Sequence, residues 1–258
     1  VTLLLLLPPS ETKRDGGAAG SALDLDALLH ADDAAVRDAR LATLAALEQL
    51  VAGDDAQAAR ALGVGHKIAE AELARDRALR TSPLMPALER YTGVLFDALD
   101  APTLSAPARE RAGRHVRIHS ALLGLIGAED AVPAYRLSHS SRLPGGPLKR
   151  RWAPVIGPVL ERHEGPVVDL RSEGYAALGP LPARADALFV RVVAESADGA
   201  VRALNHFNKK SKGLFVRDLL EQGSVPASVE GLIAAAAGTG WTLRHGAPGE
   251  LELVAREG

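Results

Sequence analysis

Hydrophobic positions along this chain follow two patterns. Largely apolar runs occur at Leu3–Leu7, Val167-Val168-Asp169-Leu170, Leu188–Ala194 and Leu251–Val254, and these read as strands together with the more mixed segments Val201–Phe207 and Trp241–Arg244. The first run has no polar position, as expected of a strand covered on both faces. It halts at Pro8-Pro9 after too few residues for a membrane span, and no basic stretch precedes it as in a secretory leader. Elsewhere the apolar spacing is helical, as at Leu41, Leu44, Leu47, Leu50 and Val51 within 23–62. Further helices are predicted from His66 to Leu79, where Thr81-Ser82-Pro83 follows, and from Pro107 to Leu125 with Ser105 as N-cap. Two more run from Asn208, as a cap, to Glu221 and from Ala227 to Ala237, and Asp198-Gly199 reads as a hairpin turn. Strands scattered among helices predict an α/β mixed (α+β) fold over 1–258, a single domain with a central mixed β-sheet surrounded by helices.

Composition narrows the chemistry. With 47% hydrophobic and 24% charged residues the chain is globular in composition. The absence of cysteine excludes disulfides, a thiol peroxidase and thiolate zinc sites. No apolar run approaches the ~18 residues that suggest a membrane span, so a soluble, cytoplasmic protein is expected, with no membrane partner.

The net charge of −2 conceals an uneven distribution. From Ala131 to Leu160 there is no Asp or Glu, yet Arg136, Arg142, Lys149, Arg150 and Arg151 are present; from Gly199 to Arg217 there is again no acid, against Arg202, Lys209, Lys210, Lys212 and Arg217. Such windows suggest a surface that meets anions. The competing reading is a pair of basic faces neutralised by residues 15–60, which hold nine acids and three arginines.

Two motifs carry more specific chemistry. In Leu62-Gly63-Val64-Gly65-His66-Lys67-Ile68 a glycine pair stands between helical segments, within 54–80. Glycines admit close backbone approach to a ligand, the next helix presents its free N–H groups, and Lys67 adds a full charge. The pattern looks like the helix-hairpin-helix element of DNA repair proteins, with Gly63, Gly65 and Lys67 on a phosphate. The structural alternative is an αα-hairpin in which Gly63 caps the first helix and Val64 plugs the core. The second motif, Asn208-Lys209-Lys210-Ser211-Lys212-Gly213, puts three of the six lysines at a helix start. Cations there oppose the helix dipole, so an anion is the expected partner.

The chain resembles the bacterial YaaA peroxide-stress proteins. The resemblance is carried in order by Leu-Leu-Leu-Pro-Pro-Ser-Glu-Thr-Lys through Lys13, by Tyr91-Thr92-Gly93, by Tyr135-Arg136-Leu137, by Asp169-Leu170-Arg171-Ser172-Glu173-Gly174-Tyr175 and by Lys209-Lys210-Ser211-Lys212-Gly213. Its departures are Ala134 where Pro is common and a first-loop lysine shifted relative to the family's Ala-Lys-Thr. The resemblance implies a cytoplasmic protein of the peroxide response, linked to lower free iron, with a mixed α/β fold, a basic cleft and a helix-hairpin-helix element that binds double-stranded or branched DNA. No enzymatic activity is firmly attached to the family.

The leading expectation is therefore a monomeric, non-enzymatic protein that binds DNA without sequence specificity and limits iron-dependent oxidative damage. Gly63, Gly65, Lys67, Arg136, Arg142, Lys209, Lys210 and Lys212 would meet phosphate; Ser10, Thr12, Lys13, Ser172 and Tyr175 would line the cleft. The alternative is an enzyme acting on a small anionic substrate, with Lys13, Ser172, Tyr135 and Lys209 converging in one closed pocket. Cavity size separates the two readings: a deep pocket of limited volume favours the enzyme, an open groove the DNA binder. No cofactor or metal is expected. His115 and His119, placed i, i+4 on the predicted helix, lack an obvious third ligand and read as ordinary surface or core histidines.

Overall fold

A computed structural model describes residues 2–195, 201–203 and 208–256. The strands are β1 (Leu4–Leu7), β2 (Met85–Pro86), β3 (Val116–Ser120), β4 (Gly124–Gly127), β5 (Ala131–Val132), β6 (Val167–Asp169), β7 (Ala187–Glu195), β8 (Val201–Ala203), β9 (Leu243–His245) and β10 (Glu250–Val254). The helices are α1 (Ala34–Val51), α2 (Asp55–Leu62), α3 (His66–Arg77), α4 (Ala87–Arg90), α5 (Val94–Leu99), α6 (Ala106–His115), α7 (Leu148–Glu161), α8 (Glu173–Ala176), α9 (Asn208–Glu221) and α10 (Val229–Gly238).

The expected mixed sheet is present and mostly parallel. Seven strands run in the order β4-β3-β1-β6-β7-β10-β9, β8 pairs with β7, and β2 and β5 form a separate antiparallel pair. The leucine run forms β1 at the centre. Leu5 lies opposite Val116 on one side and Val168 on the other, both in parallel register, and Leu3 to Leu7 are all buried. A strand so enclosed has no polar face, which explains its composition.

The parallel strands, in chain order β1, β3, β6, β7 and β10, lie in the spatial order β3-β1-β6-β7-β10. The path leaves β1 toward β3, then returns across it to β6. The winding thus reverses between β1 and β6. A crevice at the carboxyl ends of strands flanking such a reversal is where open α/β sheets take ligands.

One prediction fails locally and one helix goes unpredicted. Residues 107–125 are not one helix: α6 ends at His115, and the chain continues as β3, which pairs with both β1 and β4. Sheet pairing overrides local propensity here, and Ala121 to Ile126 are so completely buried that their pattern carries no period. His115 and His119 therefore share no helix face. His115 Nδ1 lies 2.9 Å from the Leu3 carbonyl oxygen, and His119 sits buried in β3. The sequence pattern also fails to predict α7, which contains Pro154 and Pro158. The Asp198-Gly199 turn and Phe207 lie outside the described residues.

Among the described residues no helix is long and apolar enough to cross a membrane, and no group of three or more His, Asp or Glu could hold a metal ion.

Candidate functional site

Pro8 and Pro9 follow β1, and Leu170 and Ser172 follow β6. Together with Glu11, Leu95, His139, Tyr175, Asn208, Lys209 and Lys212 they line a cavity of about 330 Å³. It occupies the crevice where the winding reverses. α9 reaches it because Gly213 lets the helix lie directly on α5: a Cβ at Gly213 would overlap the Leu95 carbonyl oxygen. On the opposite wall a Cβ at Gly174 would overlap the His139 ring, which packs edge-on against Tyr175 with centroids 5.0 Å apart.

The polar groups of this cavity are poorly satisfied. Tyr175 is 3% exposed and its hydroxyl has no hydrogen-bond partner; burial pushes its pKa upward, so it is a neutral donor. The buried Asn208 Oδ1 is likewise unpartnered. Ser172 precedes α8 as its N-cap residue, but its side chain makes no cap hydrogen bond. Lys212 is 4% exposed, and its one hydrogen bond among the described residues is a 3.4 Å contact to the Arg171 carbonyl oxygen. Burial pushes its pKa down to about 8. Unpaired buried polar groups are costly in a folded protein, and here they gather around one space.

Asp169, at the end of β6, cannot serve Lys212 as a full counter-ion, because Arg171 already claims it. Arg171 Nε and Nη2 donate to the two Asp169 oxygens at 2.8 and 2.6 Å. Arg171 Nη1 lies 2.7 Å from His119 Nδ1, and Nη2 also donates to the Gly179 carbonyl oxygen at 2.8 Å. Nδ1 must accept from the guanidinium, so the His119 proton resides on Nε2. Burial and the adjacent Arg171 keep this ring neutral. The cluster fixes the backbone of Arg171 and hence the wall beneath Lys212 and Ser172.

A second polar cluster lies outside the cavity lining. Lys13 is buried and donates to the Ser10 and Glu11 carbonyl oxygens at 2.8 and 3.2 Å. Its ammonium sits 4.1 Å from the Tyr135 ring centroid. The Tyr91 and Tyr135 hydroxyls are 2.7 Å apart, and Tyr135 is 2.6 Å from Ser120 Oγ. Asp76 accepts from the Arg136 backbone N–H at 2.6 Å, while its other oxygen is buried without a partner. Burial pushes Asp76 up to about 7 and Lys13 down to about 7, each partly offset by the other's charge.

The predicted site residues therefore divide. Ser172, Tyr175, Lys209 and Lys212 meet at the cavity, whereas Lys13 and Tyr135 do not line it. Ser10 and Thr12 face Thr92 and Gly93: Thr92 Oγ1 donates to Thr12 Oγ1 at 3.0 Å, and a Cβ at Gly93 would stand 3.2 Å from Ser10 Oγ. Lys13 contacts the Ser10 carbonyl and not its hydroxyl, so the pair is not arranged as a nucleophile and its base. Lys210 is exposed on α9, and Arg136 is half-buried beside Asp76. Arg142 donates its backbone N–H to the Ala61 carbonyl oxygen at the end of α2.

The two basic windows occupy different elements. Lys149, Arg150 and Arg151 are on α7, which packs on α1, a helix whose Asp38 and Glu48 are matched by Arg37 and Arg40, while α9 packs on α5 and β7. Arg151 and Arg217 are spent on backbone carbonyls. Asp33, the N-cap of α1, pairs with Arg162 just beyond α7 at 2.5 Å.

α2 and α3 are joined by Gly63-Val64-Gly65, with Gly63 left-handed at φ 67° and Val64 buried. These are the features of the structural alternative. The glycine faces are nonetheless open, since a Cβ at Gly63 or Gly65 would meet nothing within 4 Å. No side chain caps α3, and Lys67 is exposed on its first turn.

A family model described as "Peroxide stress protein YaaA" matches residues 3–244, an interval that holds every group around the cavity. The chain belongs to the YaaA peroxide-stress family. It is 43% identical over 222 residues to a UPF0246 protein of Corynebacterium glutamicum (strain R), covering 84% of each chain. It is 40% identical over 222 residues to one of Corynebacterium efficiens, again covering 84% of each. With a UPF0246 protein of Streptomyces coelicolor identity is 37% over 253 residues, 95% of this chain and 94% of the relative.

Sequence reasoning on the YaaA-like blocks missed His139, Asn208 and Glu11 as cavity residues, and Asp76 beside Lys13. Glu11 stands inside a quoted block, and Asn208 directly precedes one. His139 and Asp76 have no local signal, because Gly174 and Lys13 find them only through the fold.

Proposed function

We propose that this member of the peroxide-stress family works by binding a small phosphate-bearing ligand in the cavity between β1 and β6. The observation that carries this reading is Lys212, an ammonium buried on the first turns of α9 with one long hydrogen bond, beside the unpartnered Tyr175 hydroxyl. A phosphate there would accept from Lys212, Lys209, Tyr175 and Ser172, and it would lie near the positive end of the α9 dipole. The limited volume favours a small ligand over a duplex. Calorimetric titration with inorganic phosphate tests this: saturable binding that is lost in Lys209→Ala and Lys212→Met supports it, and equal binding by both variants sinks it.

The Gly63–Lys67 turn favours a second reading, sequence-independent DNA binding. Its open glycine faces, uncapped α3 amides and exposed Lys67 suit a backbone phosphate. Lys210 and Lys209 on α9 and Arg136 and Arg142 near α2 and α3 would add charge. In this reading the protein shields DNA from iron-dependent oxidation. Gel shifts with duplex, bulged and four-way DNA across a salt series test it; retention that ignores salt or survives Lys67→Ala unchanged counts against it.

A further inference from the structure

The cavity has two unlike ends. One holds Lys209, Lys212 and the first turn of α9. The other wall combines apolar surface from Pro8, Pro9, Leu95 and Leu170 with the Glu11 side chain and the His139–Tyr175 pair. A ligand that was only an anion would gain nothing from the apolar wall and would be repelled by the Glu11 carboxylate. A ligand with a phosphate at one end and a neutral, donor-bearing body at the other meets both.

We propose that the ligand is a nucleoside monophosphate. This rests on the phosphate-binding reading of the same cavity. The phosphate sits at the α9 end, on Lys209 and Lys212. The Glu11 carboxylate accepts from ribose hydroxyls or a base N–H, the task an acidic residue performs in the nucleotide sites of parallel α/β sheets. The Pro8-Pro9 turn and Leu95 give the base or sugar a flat apolar surface. Tyr175, buried and without a hydroxyl partner, supplies a donor on the wall it shares with His139, and the unpartnered Asn208 Oδ1 supplies an acceptor at the start of α9. The volume of about 330 Å³ is at the small end for ligand cavities, which suits one nucleotide and not a dinucleotide. The location adds an independent reason, because the reversal in winding order between β1 and β6 is where mononucleotides bind in sheets of this topology.

Calorimetry on the full chain with seven probes tests the proposal: inorganic phosphate, ribose 5-phosphate, adenosine and the four ribonucleoside 5′-monophosphates. The expected result is at least a tenfold tighter constant for one or more monophosphates than for inorganic phosphate and for adenosine. Glu11→Gln should narrow that advantage severalfold while leaving inorganic phosphate binding unchanged or slightly tighter. Lys209→Ala, an exposed change that does not disturb folding, should weaken phosphate and monophosphate alike. Equal affinities for inorganic phosphate and every monophosphate would overturn the nucleotide proposal and leave the phosphate site standing. Failure of all probes to bind would overturn both.

Discussion

The Gly63–Lys67 turn and the cavity between β1 and β6 use the same ingredients, the first turn of a helix and a lysine, at opposite degrees of burial. At the turn, Lys67 is exposed and the glycine faces open to solvent. In the cavity, Lys212 is 4% exposed, and the Tyr175 hydroxyl and Asn208 Oδ1 that share the space lack partners. An exposed ammonium beside helix amides is fully solvated, so binding gains little beyond the release of counter-ions. A buried one has already lost its water, and a ligand that replaces that water makes stronger contacts. The turn suits weak contacts repeated along a polymer, whereas the cavity suits a single small ligand.

The largest effect expected from breaking this contrast comes from the cavity lysines. Combining Lys209→Ala with Lys212→Met should cost more than about 100-fold in affinity for a phosphate-bearing ligand, since each lysine lost removes a charge-assisted hydrogen bond worth about 10–100-fold. Lys67→Ala should leave that affinity unchanged; calorimetry on the three proteins reads both.

Glycine substitutions separate two structural roles. Gly213→Ala forces a Cβ onto the Leu95 carbonyl oxygen, and should cost about 1–3 kcal/mol in denaturant unfolding as well as weaken ligand binding by shifting α9. Gly63→Ala meets open space and pays only for φ 67°, about 1 kcal/mol, with no effect on the cavity.

Acidity sharpens the contrast further. Lys212 has a pKa of about 8 in the free protein, and a bound phosphate must raise it, since it favours the ammonium. Below pH 8 the ammonium is present and binding proceeds without proton uptake. Above it, binding must take up a proton, so affinity should fall by up to about tenfold per pH unit until the complex itself titrates. Lys212→Met should abolish this fall.

The smallest effect belongs to the turn. If duplex DNA binds there, Lys67→Ala should reduce the slope of log affinity against log salt by about one, a change readable by fluorescence anisotropy and absent for cavity ligands.

Much of the scaffold is readable in the sequence because burial writes simple patterns. The leucine run at Leu3–Leu7 announces a strand covered on both faces, Val167 to Leu170 announces its neighbour β6, and Leu251 to Val254 a strand paired further along with β7. Reading fails where pairing overrides propensity. The turn from α6 into β3 at His115 and Val116 leaves no Gly or Pro, and Pro154 and Pro158 hide α7. The lysine-rich start of α9 and Ser172 are visible as motifs and meet at the cavity. Lys13 and Tyr135 are visible too, but the sheet places them outside its lining. Asp76 lies 63 residues from Lys13 in sequence and is brought to it only by tertiary packing. No local spacing encodes such a meeting. The same holds for His139, whose place depends on Gly174 having no Cβ.

The central claim is that the cavity, and not the turn, receives the ligand. An amide NMR titration of the deuterated full chain with each of the four ribonucleoside 5′-monophosphates tests this most directly, since both regions are read in one experiment. The prediction is saturable shifts at Ser172, Tyr175, Lys209 and Lys212 with the Gly63, Gly65 and Lys67 amides unmoved. Shifts confined to Gly63–Lys67, or none at either place, would contradict it.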